Sequence, residues 1–409
     1  MNPWRGLNKL PREVWVITFT TFINRVGTMV FPLLIFYLPG IGLSGNETGF
    51  IIGLFGFGSF MVAPIAGRLA DRIGALQVMR LSLALSGVIL LLYQFTNNVI
   101  VIAILTLAWA ITSEAFRPAS YAILVTAIPL ADPEKATIQT KQAQALSRLA
   151  INLGMAIGPL AASLFAKHHL WKWLFILDGL TSVAAFTYLS LALGPRAFRV
   201  PARASTTLSV QPFKDKKFIF FLLAIVPVLV VFFQEFAALP QFMKADLHLD
   251  ESAYGMLVTL NAVLVIVCEI PFNTITGKWS YARSLVWGSL LCGVGYGALA
   301  FGGGFRFLAL TVAVWTFGEM LLLPNMVAYV SSVAPPHRQG EYMGLYSMVF
   351  SFSLTVGPSI GLITLNHFGG TFLWTAAFIL AAISAITVSR LSGYKASESV
   401  AGRLPGLTT

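Results

Sequence analysis

The sequence is poor in charge: charged residues make up 11% of its 409 positions, whereas a soluble domain carries about a quarter. Apolar residues make up 57%, and the mean hydropathy is +0.79. A soluble protein is therefore excluded. The net charge of +11 does not indicate nucleic-acid binding here, because the basic residues gather in alternate loops between apolar segments. The composition predicts an integral membrane protein.

Cysteine and histidine are also scarce. The two cysteines, Cys268 and Cys292, lie inside apolar segments and give neither a disulfide framework nor metal-ligand spacing. All five histidines fall in predicted loops or at their edges, which argues against a histidine proton relay in the membrane. The sequence contains no nucleophile–base pair, phosphate-binding loop or metal cluster. We therefore expect no enzyme, no cofactor and no metal site.

Twelve segments have the roughly 20 apolar residues that a membrane-crossing helix needs. Their approximate limits are 14–38, 48–67, 77–95, 99–127, 141–166, 171–193, 217–240, 252–276, 283–301, 305–330, 341–365 and 372–391. The first is too long for a signal-peptide core and is interpreted as an uncleaved span. These segments predict an all-α membrane protein with twelve transmembrane helices.

Lysine and arginine are distributed unevenly between the two sides of this arrangement. With the amino terminus inside, twenty of them fall in cytoplasmic segments and four, Lys167, Lys172, Lys244 and Arg306, in outer loops. Positive charge is retained on the cytoplasmic side of membrane proteins. We expect both termini in the cytoplasm, and a bacterial inner membrane as the location.

Two halves of the chain repeat each other. Pro118 and Pro129 in the fourth span recur as Pro324 and Pro335 in the tenth, with the same separation. The hydrophilic stretch 195–216 lies between the sixth and seventh spans and suits a linker against anionic lipid headgroups. The sequence predicts two pseudo-symmetric six-helix bundles, residues 1–194 and 217–409, joined by a cytoplasmic linker. We expect a monomer.

Between the second and third spans stands Gly67-Arg-Leu-Ala-Asp71-Arg72-Ile-Gly74. This segment resembles the signature of the major facilitator superfamily at the position where that family carries it, although Ala75 and Leu76 replace its usual basic pair. The span number, the linker and the duplication match the family as well. The resemblance implies a gating role for Asp71 and Arg72 at a helix end; the alternative is charge that merely sets topology.

The fifth span contains Gly154-x-x-x-Gly158-Pro159. It resembles the helix-5 motif of the drug:proton antiporter branch of that family, with Ala162 and Ser163 in place of the last two glycines. The resemblance favours export. Close packing of helices through small residues explains the same glycines without any transport role.

The resemblance implies that the first, fourth, seventh and tenth helices line a central cavity. The polar, ionisable and aromatic candidates for a substrate or proton site on them are Asn24, Arg25, Glu114, Arg117, Tyr121, Gln234, Glu235, Trp315 and Glu319. A charge at mid-membrane costs at least about 2.5–3.5 kcal/mol, so such residues usually serve a function. Our hypothesis is that Glu114 or Glu319 carries a coupling proton, with Arg25 and Arg117 as countercharges or ligands for an anionic group. The alternative is a permanent Arg–Glu clamp.

Several residues allow two interpretations. Trp315 and Tyr121 either stack on a ligand or pack in the core, and Glu235 lies at the cavity mouth or at a solvated helix end. Glu269 and Asp178 are expected to be structural. Arg148 in the fifth span is expected to extend its side chain to the cytoplasmic surface.

We therefore expect a secondary active transporter that works by alternating access, with proton-coupled export of a small amphipathic or zwitterionic compound as the first hypothesis. Proton-coupled or facilitative uptake of a polar nutrient, such as a sugar, organic acid or peptide, is the second. A receptor or lipid-handling protein without transport activity is the third.

Overall fold

The computed structural model describes residues 7–28, 30–128, 133–167, 170–194, 211–249 and 251–391. The regular structure of these residues is helical. The first half contains α1 (Arg12–Val26), α2 (Val30–Gly40), α3 (Gly45–Ile73), α4 (Ala75–Tyr93), α5 (Val99–Glu114), α6 (Phe116–Thr126), α7 (Pro133–Lys167) and α8 (Trp171–Ala192). The second contains α9 (Lys216–Phe232), α10 (Ala238–Ala245), α11 (Glu251–Ile275), α12 (Tyr281–Ala298), α13 (Phe305–Val333) and α14 (Gln339–Ser389).

These helices form the twelve predicted spans, but some spans are divided. Among the described residues, nine helical segments are long and apolar enough to cross a membrane by themselves. The first span is split between α1 and α2, and α7 includes the fifth. The eleventh and twelfth are joined in α14, where the backbone turns at Gly369 with φ 80°. The seventh predicted helix ends early: α9 gives way to a 3₁₀ turn over Phe233–Phe236, and α10 follows.

Helix starts are marked by side chains that accept otherwise unsatisfied backbone N–H groups. Ser44 and Glu47 form a reciprocal capping box at the start of α3. Asn98 Oδ1 accepts from the N–H of Ile100 at 2.9 Å and starts α5. Asp215 Oδ1 accepts from the N–H groups of Lys217 and Phe218 and starts α9. These caps place the ends of the spans at polar residues.

Each half has its own apolar interior. In the first half, α1, α3, α4, α6, α7 and α8 share one cluster of buried side chains, and α2, α3, α4, α5 and α8 share another. In the second half, α9, α12, α13 and α14 form a cluster, and a further one includes α10 and α11. The two halves meet chiefly where α3 packs on α14 and α7 packs on α11. The stretch 195–210, most of the predicted linker, lies outside the described residues.

Candidate functional site

The end of the molecule that carries Gly67–Gly74 is here called the motif end; the sequence predicts that it is cytoplasmic. Asp71, near the end of α3, accepts hydrogen bonds from the backbone N–H groups of Gly340 at 2.7 Å and Glu341 at 2.8 Å. These donors belong to the first turn of α14, where the helix dipole favours a carboxylate. The motif in the first half therefore holds a helix start of the second half.

Two basic residues pair with Glu341 at this contact. Arg68 Nε lies 3.0 Å from Glu341 Oε1, and Arg338 Nη1 lies 3.3 Å from Glu341 Oε2. The side chain of Arg72 is exposed, and no ion pair joins it to any acidic residue that the structure describes. Gly74 has φ 96° and forms the turn between α3 and α4, a conformation that favours glycine.

Glu114 and Arg117 face each other across the junction of α5 and α6. Arg117 Nη1 lies 3.2 Å from Glu114 Oε1, as expected for residues three apart. The junction lies here because Pro118 has no N–H to donate to the carbonyl of Glu114. Arg117 also lies over the ring of Phe350, 5.0 Å from its centroid. The i, i+3 pairing that the sequence predicts is confirmed.

Ser351 of α14 connects this pair to the second half. Its Oγ accepts a hydrogen bond from Arg117 Nη1 and donates one to Glu114 Oε1, both at 3.3 Å. Sequence analysis missed Ser351, since one serine in an apolar span carries no distinctive signal. The pair therefore lies at a contact between the two bundles.

Arg25, in the last turn of α1, belongs to the same cluster. It interacts electrostatically with Arg117, Glu114, Tyr121 and Asp178. Its Nε is buried and has no hydrogen-bond partner among the described residues. Arg25, Glu114 and Arg117 are called the first charge cluster, and the carboxylate of Asp178 also acts on Arg25. Asn24 lies next to Arg25 and is half-buried.

The helix-5 glycines bring α7 against this turn of α1. A Cβ on Gly154 would lie 2.5 Å from Arg25 Cβ, and one on Gly158 would lie 2.8 Å from the carbonyl oxygen of Val26. The packing expected from small residues is present, and it determines where the Arg25 backbone lies. Pro159 follows directly within α7.

Arg148 is not directed to the cytoplasmic surface, and that expectation was wrong. Its Nη1 donates to Glu269 Oε1 and to the carbonyl oxygen of Glu319, each at 3.0 Å, and its Nη2 donates to Glu319 Oε1. Arg148 of α7 therefore joins two carboxylates of the second half, on α11 and α13. The countercharge of Glu319 is Arg148 rather than Arg25 or Arg117.

Arg148, Glu269 and Glu319 are called the second charge cluster. Further polar groups surround these three residues. Asn261 Nδ2 donates to Glu319 Oε2 at 3.0 Å. Glu235 interacts electrostatically with Glu319 and Arg148. Glu235 is 8% exposed, so the alternative of a solvated helix end is excluded. Asn261 was not among the predicted residues.

Gln234 and Trp315, which were also predicted as site residues, make hydrogen bonds or ring contacts within the second half. Gln234 is in the 3₁₀ turn, and its Nε2 donates to the carbonyl oxygens of Val230 at 2.8 Å and Gly357 at 2.9 Å. The ring of Trp315 stacks on Tyr296 with centroids 4.4 Å apart and is 1% exposed. This geometry corresponds to the core-packing interpretation of Trp315. Tyr121 is half-buried and interacts electrostatically with both arginines of the first charge cluster and with Arg148.

Asp178 accepts a hydrogen bond from the N–H of Val30 at 3.3 Å, at the start of α2, which agrees with the structural role expected for it. In the described ranges, no group of three or more His, Cys, Asp or Glu side chains is arranged to hold a metal ion.

Solved transporter structures share this fold. A bacterial homologue of the iron transporter ferroportin, in the outward-facing state, matches with a TM-score of 0.74 at 15% identity, over 93% of this chain and 99% of that one. The human organic anion transporter MFSD10 matches with a TM-score of 0.73 at 15% identity, over 92% and 100% of the two chains.

Sequence relatives agree with the fold. The uncharacterized MFS-type transporter YhjO of Bacillus subtilis is 25% identical over 361 residues, 86% of each chain. The quinolone resistance protein NorA of Staphylococcus aureus is 23% identical over 359 residues, 85% of this chain and 89% of its own. The Major Facilitator Superfamily profile matches residues 14–238 and 235–393. The chain belongs to the major facilitator superfamily and is a multi-pass membrane transporter of that family rather than an enzyme.

Proposed function

We propose that the protein exports a small amphipathic, zwitterionic compound in exchange for protons. One observation carries this proposal: two buried arginines, Arg25 and Arg117, lie together in the first bundle, and two buried carboxylates, Glu269 and Glu319, lie together in the second. The first has the guanidinium groups of Arg25 and Arg117 and the carboxylate of Glu114, and Asp178 also acts on Arg25. The second has one guanidinium group and the carboxylates of Glu269 and Glu319, with Glu235 nearby.

Such a pair of clusters suits a solute with separated charges. The first cluster attracts an anionic group, and the buried Nε of Arg25 is a hydrogen-bond donor without a described partner. The carboxylates of the second cluster attract a cationic group or a proton. Tyr121 interacts electrostatically with the arginines of both clusters, so its ring is suited to contact a ligand that reaches from one to the other.

Alternating access is supported by the contacts at the motif end. Asp71 and Arg68 of the first half bind the start of α14. Lys141 Nζ of α7 donates to the carbonyl oxygens of Gly277 at 3.2 Å and Trp279 at 2.8 Å. We interpret the structure as closed at the motif end, which faces the cytoplasm in our proposal. Rocking of residues 1–194 against residues 217–409, with 195–216 as linker, would open it.

The similarity to NorA suggests a first compound to test. The name of that relative concerns quinolone resistance. A quinolone such as norfloxacin carries a carboxylate and a secondary amine on an aromatic body, which are the features that the two clusters suit.

The experiment uses everted membrane vesicles that contain the protein. Vesicles loaded with ammonium chloride and diluted into ammonium-free buffer acquire an acid interior. A proton antiporter then accumulates norfloxacin, and nigericin, which dissipates the pH gradient, abolishes the accumulation. Vesicles without the protein are the control.

Other outcomes correspond to other functions. An uptake symporter would instead accelerate loss of preloaded compound from acid-interior vesicles, and a receptor without transport activity would give no flux in either direction. If Glu114→Gln and Glu319→Gln both transport normally with an unchanged pH dependence, proton coupling through these two residues is wrong.

A further inference from the structure

A groove opens between α4 and α8 at the motif end, away from both charge clusters. It has a volume of about 450 Å³ and is lined by Gln77, Arg80, Leu81, Ala84, Phe186 and Ser190. The two helices run in opposite directions and pack tightly farther along, where a Cβ on Gly87 would lie 3.0 Å from the carbonyl oxygen of Gly179. The groove lies between this contact and the ends of the helices at the motif end.

The groove is open to the bilayer. On α4, an apolar stripe recurs at helical spacing, and each of its side chains is 46–52% exposed: Leu81, Leu85, Val88 and Leu92. On a membrane-spanning helix, such a stripe contacts lipid chains. Leu81 belongs both to the stripe and to the lining of the groove. A molecule from the membrane can therefore enter the groove from the side.

The polar end of the groove lies where lipid headgroups meet the hydrocarbon core. Gln77 is the first residue of the third predicted span, and Ser190 is three residues from the end of the sixth. With a rise of about 1.5 Å per residue, Arg80 lies about 5 Å and Ala84 about 10 Å farther along the axis of α4 than Gln77. Phe186 precedes Ser190 by one turn of α8 and lies deeper as well. Polar groups thus stand at the membrane surface and apolar ones below them.

Arg80 is the charged residue of the groove. It is 8% exposed, and its Nη2 donates to the carbonyl oxygen of Leu193, just beyond α8, at 2.5 Å. A guanidinium group has five N–H donors, and this is the one hydrogen bond that it makes to the described residues. Its Nε is buried and has no partner among them, and no carboxylate of the described ranges acts on it. Capping α8 therefore leaves most of the donors unused and the charge without a counterion.

Ser190 adds a second unpaired group from the opposite wall. Its Oγ is buried and has no hydrogen-bond partner in the described part of the chain. Buried polar groups are nearly always paired, so two unpaired ones in the same groove point to a ligand. A phosphate group fits both, because its oxygens accept from a guanidinium group in pairs and from a hydroxyl. Arg12, which donates to the carbonyl oxygen of Ala192 at 3.5 Å, adds positive charge at the same end of α8.

We propose that the groove between α4 and α8 binds an anionic phospholipid, with its phosphate on Arg80 and Ser190 and an acyl chain along Leu81, Ala84 and Phe186. The lining contains a positive charge and no carboxylate that could pair with a headgroup amine, so a lipid such as phosphatidylglycerol suits it better than a zwitterionic one. The site is separate from both charge clusters. It is therefore independent of the transport function proposed above.

The site can be tested by native mass spectrometry of the full-length protein. The protein is delipidated in detergent and titrated with dioleoyl phosphatidylglycerol or with dioleoyl phosphatidylcholine, which has the same acyl chains. The relative intensities of the free and singly bound species give the dissociation constant of the first lipid. We expect phosphatidylglycerol to bind several-fold more tightly than phosphatidylcholine.

Arg80→Gln should raise the dissociation constant for phosphatidylglycerol about ten- to hundredfold, because a charge-assisted contact is lost. Arg80→Lys retains the charge and should keep much of the affinity. Arg72→Gln removes an exposed arginine just before α4 and is the matched control, with the affinity of the parent. Ala84→Phe fills the apolar part of the groove and leaves Arg80 in place, so it should also weaken binding of phosphatidylglycerol.

Thermal unfolding separates binding from folding. The unfolding temperature of each variant without lipid reports its stability, and the rise on addition of phosphatidylglycerol reports binding. That rise should be large in the parent and in Arg72→Gln, and small in Arg80→Gln and in Ala84→Phe. Should Arg80→Gln fail to fold, Arg80→Lys and Ala84→Phe still decide the question.

Three outcomes would overturn the proposal. Parent-like affinity for phosphatidylglycerol in both Arg80→Gln and Ala84→Phe would mean that the lipid binds elsewhere. An equal loss in Arg72→Gln and Arg80→Gln would indicate general attraction to surface charge. If inorganic phosphate displaces phosphatidylglycerol at equal concentration and Ala84→Phe has no effect, the groove is a site for a free anion and not for a lipid.

Discussion

The backbones of Gly67 and Gly340 touch without any side chain between them. A methyl group on Gly67 would lie 2.0 Å from the carbonyl oxygen of Gly340, and one on Gly340 would lie 2.2 Å from that of Gly67. This approach of α3 to α14 brings Asp71 within hydrogen-bonding distance of the Gly340 and Glu341 N–H groups. The contact between α3 and α14 therefore depends on two glycines as well as on an acidic side chain.

Gly67→Ala and Gly340→Ala should each prevent full closure, because the added methyl group overlaps backbone atoms that cannot rotate away. In a protein with Cys268→Ser and Cys292→Ala, spin labels are attached at Gln77→Cys and Arg390→Cys, exposed positions in opposite halves. We expect the distance between the labels, measured by double electron–electron resonance, to be longer than in the parent. Gly49→Ala, also in α3 but with open space around the added carbon, should behave as the parent. A closed distance in both substituted proteins would contradict this packing.

Asp71→Asn should weaken the contact between α3 and the start of α14 while leaving the helices intact. Hydrogen bonds to a charged group contribute about 1.5–3 kcal/mol, and loss of the charge should reduce the closed-to-open ratio by roughly tenfold or more. The ratio is measured from the same distance distributions. Arg72→Gln removes an exposed charge from the adjacent position and should change it little. Equal effects of Asp71→Asn and Arg72→Gln would indicate a general effect of charge instead of specific hydrogen bonds from Gly340 and Glu341 to Asp71.

Arg25→Gln should reduce the affinity for compounds with a carboxylate. Loss of a charge-assisted contact should raise the dissociation constant about ten- to hundredfold, since hydrogen bonds to charged groups contribute about 1.5–3 kcal/mol. Binding of norfloxacin and of its ethyl ester to the purified protein is compared by calorimetry. The ester should bind to the parent protein and to the Arg25→Gln variant with the same affinity. An equal loss for acid and ester would mean that Arg25 supports the site without contacting the anion.

Gly154→Ala should affect the same site indirectly, by displacing Arg25. The added methyl group would lie 2.5 Å from Arg25 Cβ, so α7 and α1 must move apart and Arg25 must shift. We expect weaker norfloxacin binding with a smaller change for the ester. Gly53→Ala has no atom near the added carbon and is the matched control. Unchanged binding of both compounds would show that the position of Arg25 tolerates the shift.

Trp315 should contribute to stability and not to substrate recognition. It is 1% exposed and stacks on Tyr296. Truncation of a buried tryptophan to alanine costs about 3–5 kcal/mol, so Trp315→Ala should lower the thermal unfolding temperature clearly. Trp315→Phe retains much of the packing and should keep norfloxacin affinity. Loss of affinity with normal stability in Trp315→Phe would instead assign the ring to the ligand.

The helical spans could be predicted from the sequence, because the length and hydropathy of a segment decide whether it crosses a bilayer. It also predicted the pairing of Glu114 with Arg117, since residues three apart share a helix face. The break of the seventh span at the 3₁₀ turn was not predicted. The predicted end of that span at residue 240 lies inside α10 instead.

Contacts between the halves could not be predicted in this way. Hydropathy gives the depth of a residue in the membrane but not the direction in which its side chain points. Arg148 and Glu319 are 171 positions apart, and their contact depends on how two bundles dock. The same limit applies to Ser351, which lies 237 positions from Glu114. A basic residue near a helix start suits a surface position equally well, so Arg148 was assigned to the surface.

The unequal division of charge in the Arg148–Glu269–Glu319 cluster also bears on how the polypeptide is assembled. Produced alone, the carboxy-terminal bundle would have two interior acids without their cation, and the amino-terminal bundle a guanidinium group without its acids. Neither half is electrostatically complete during biogenesis until the other has been inserted. We therefore expect docking of the halves to be a step of folding.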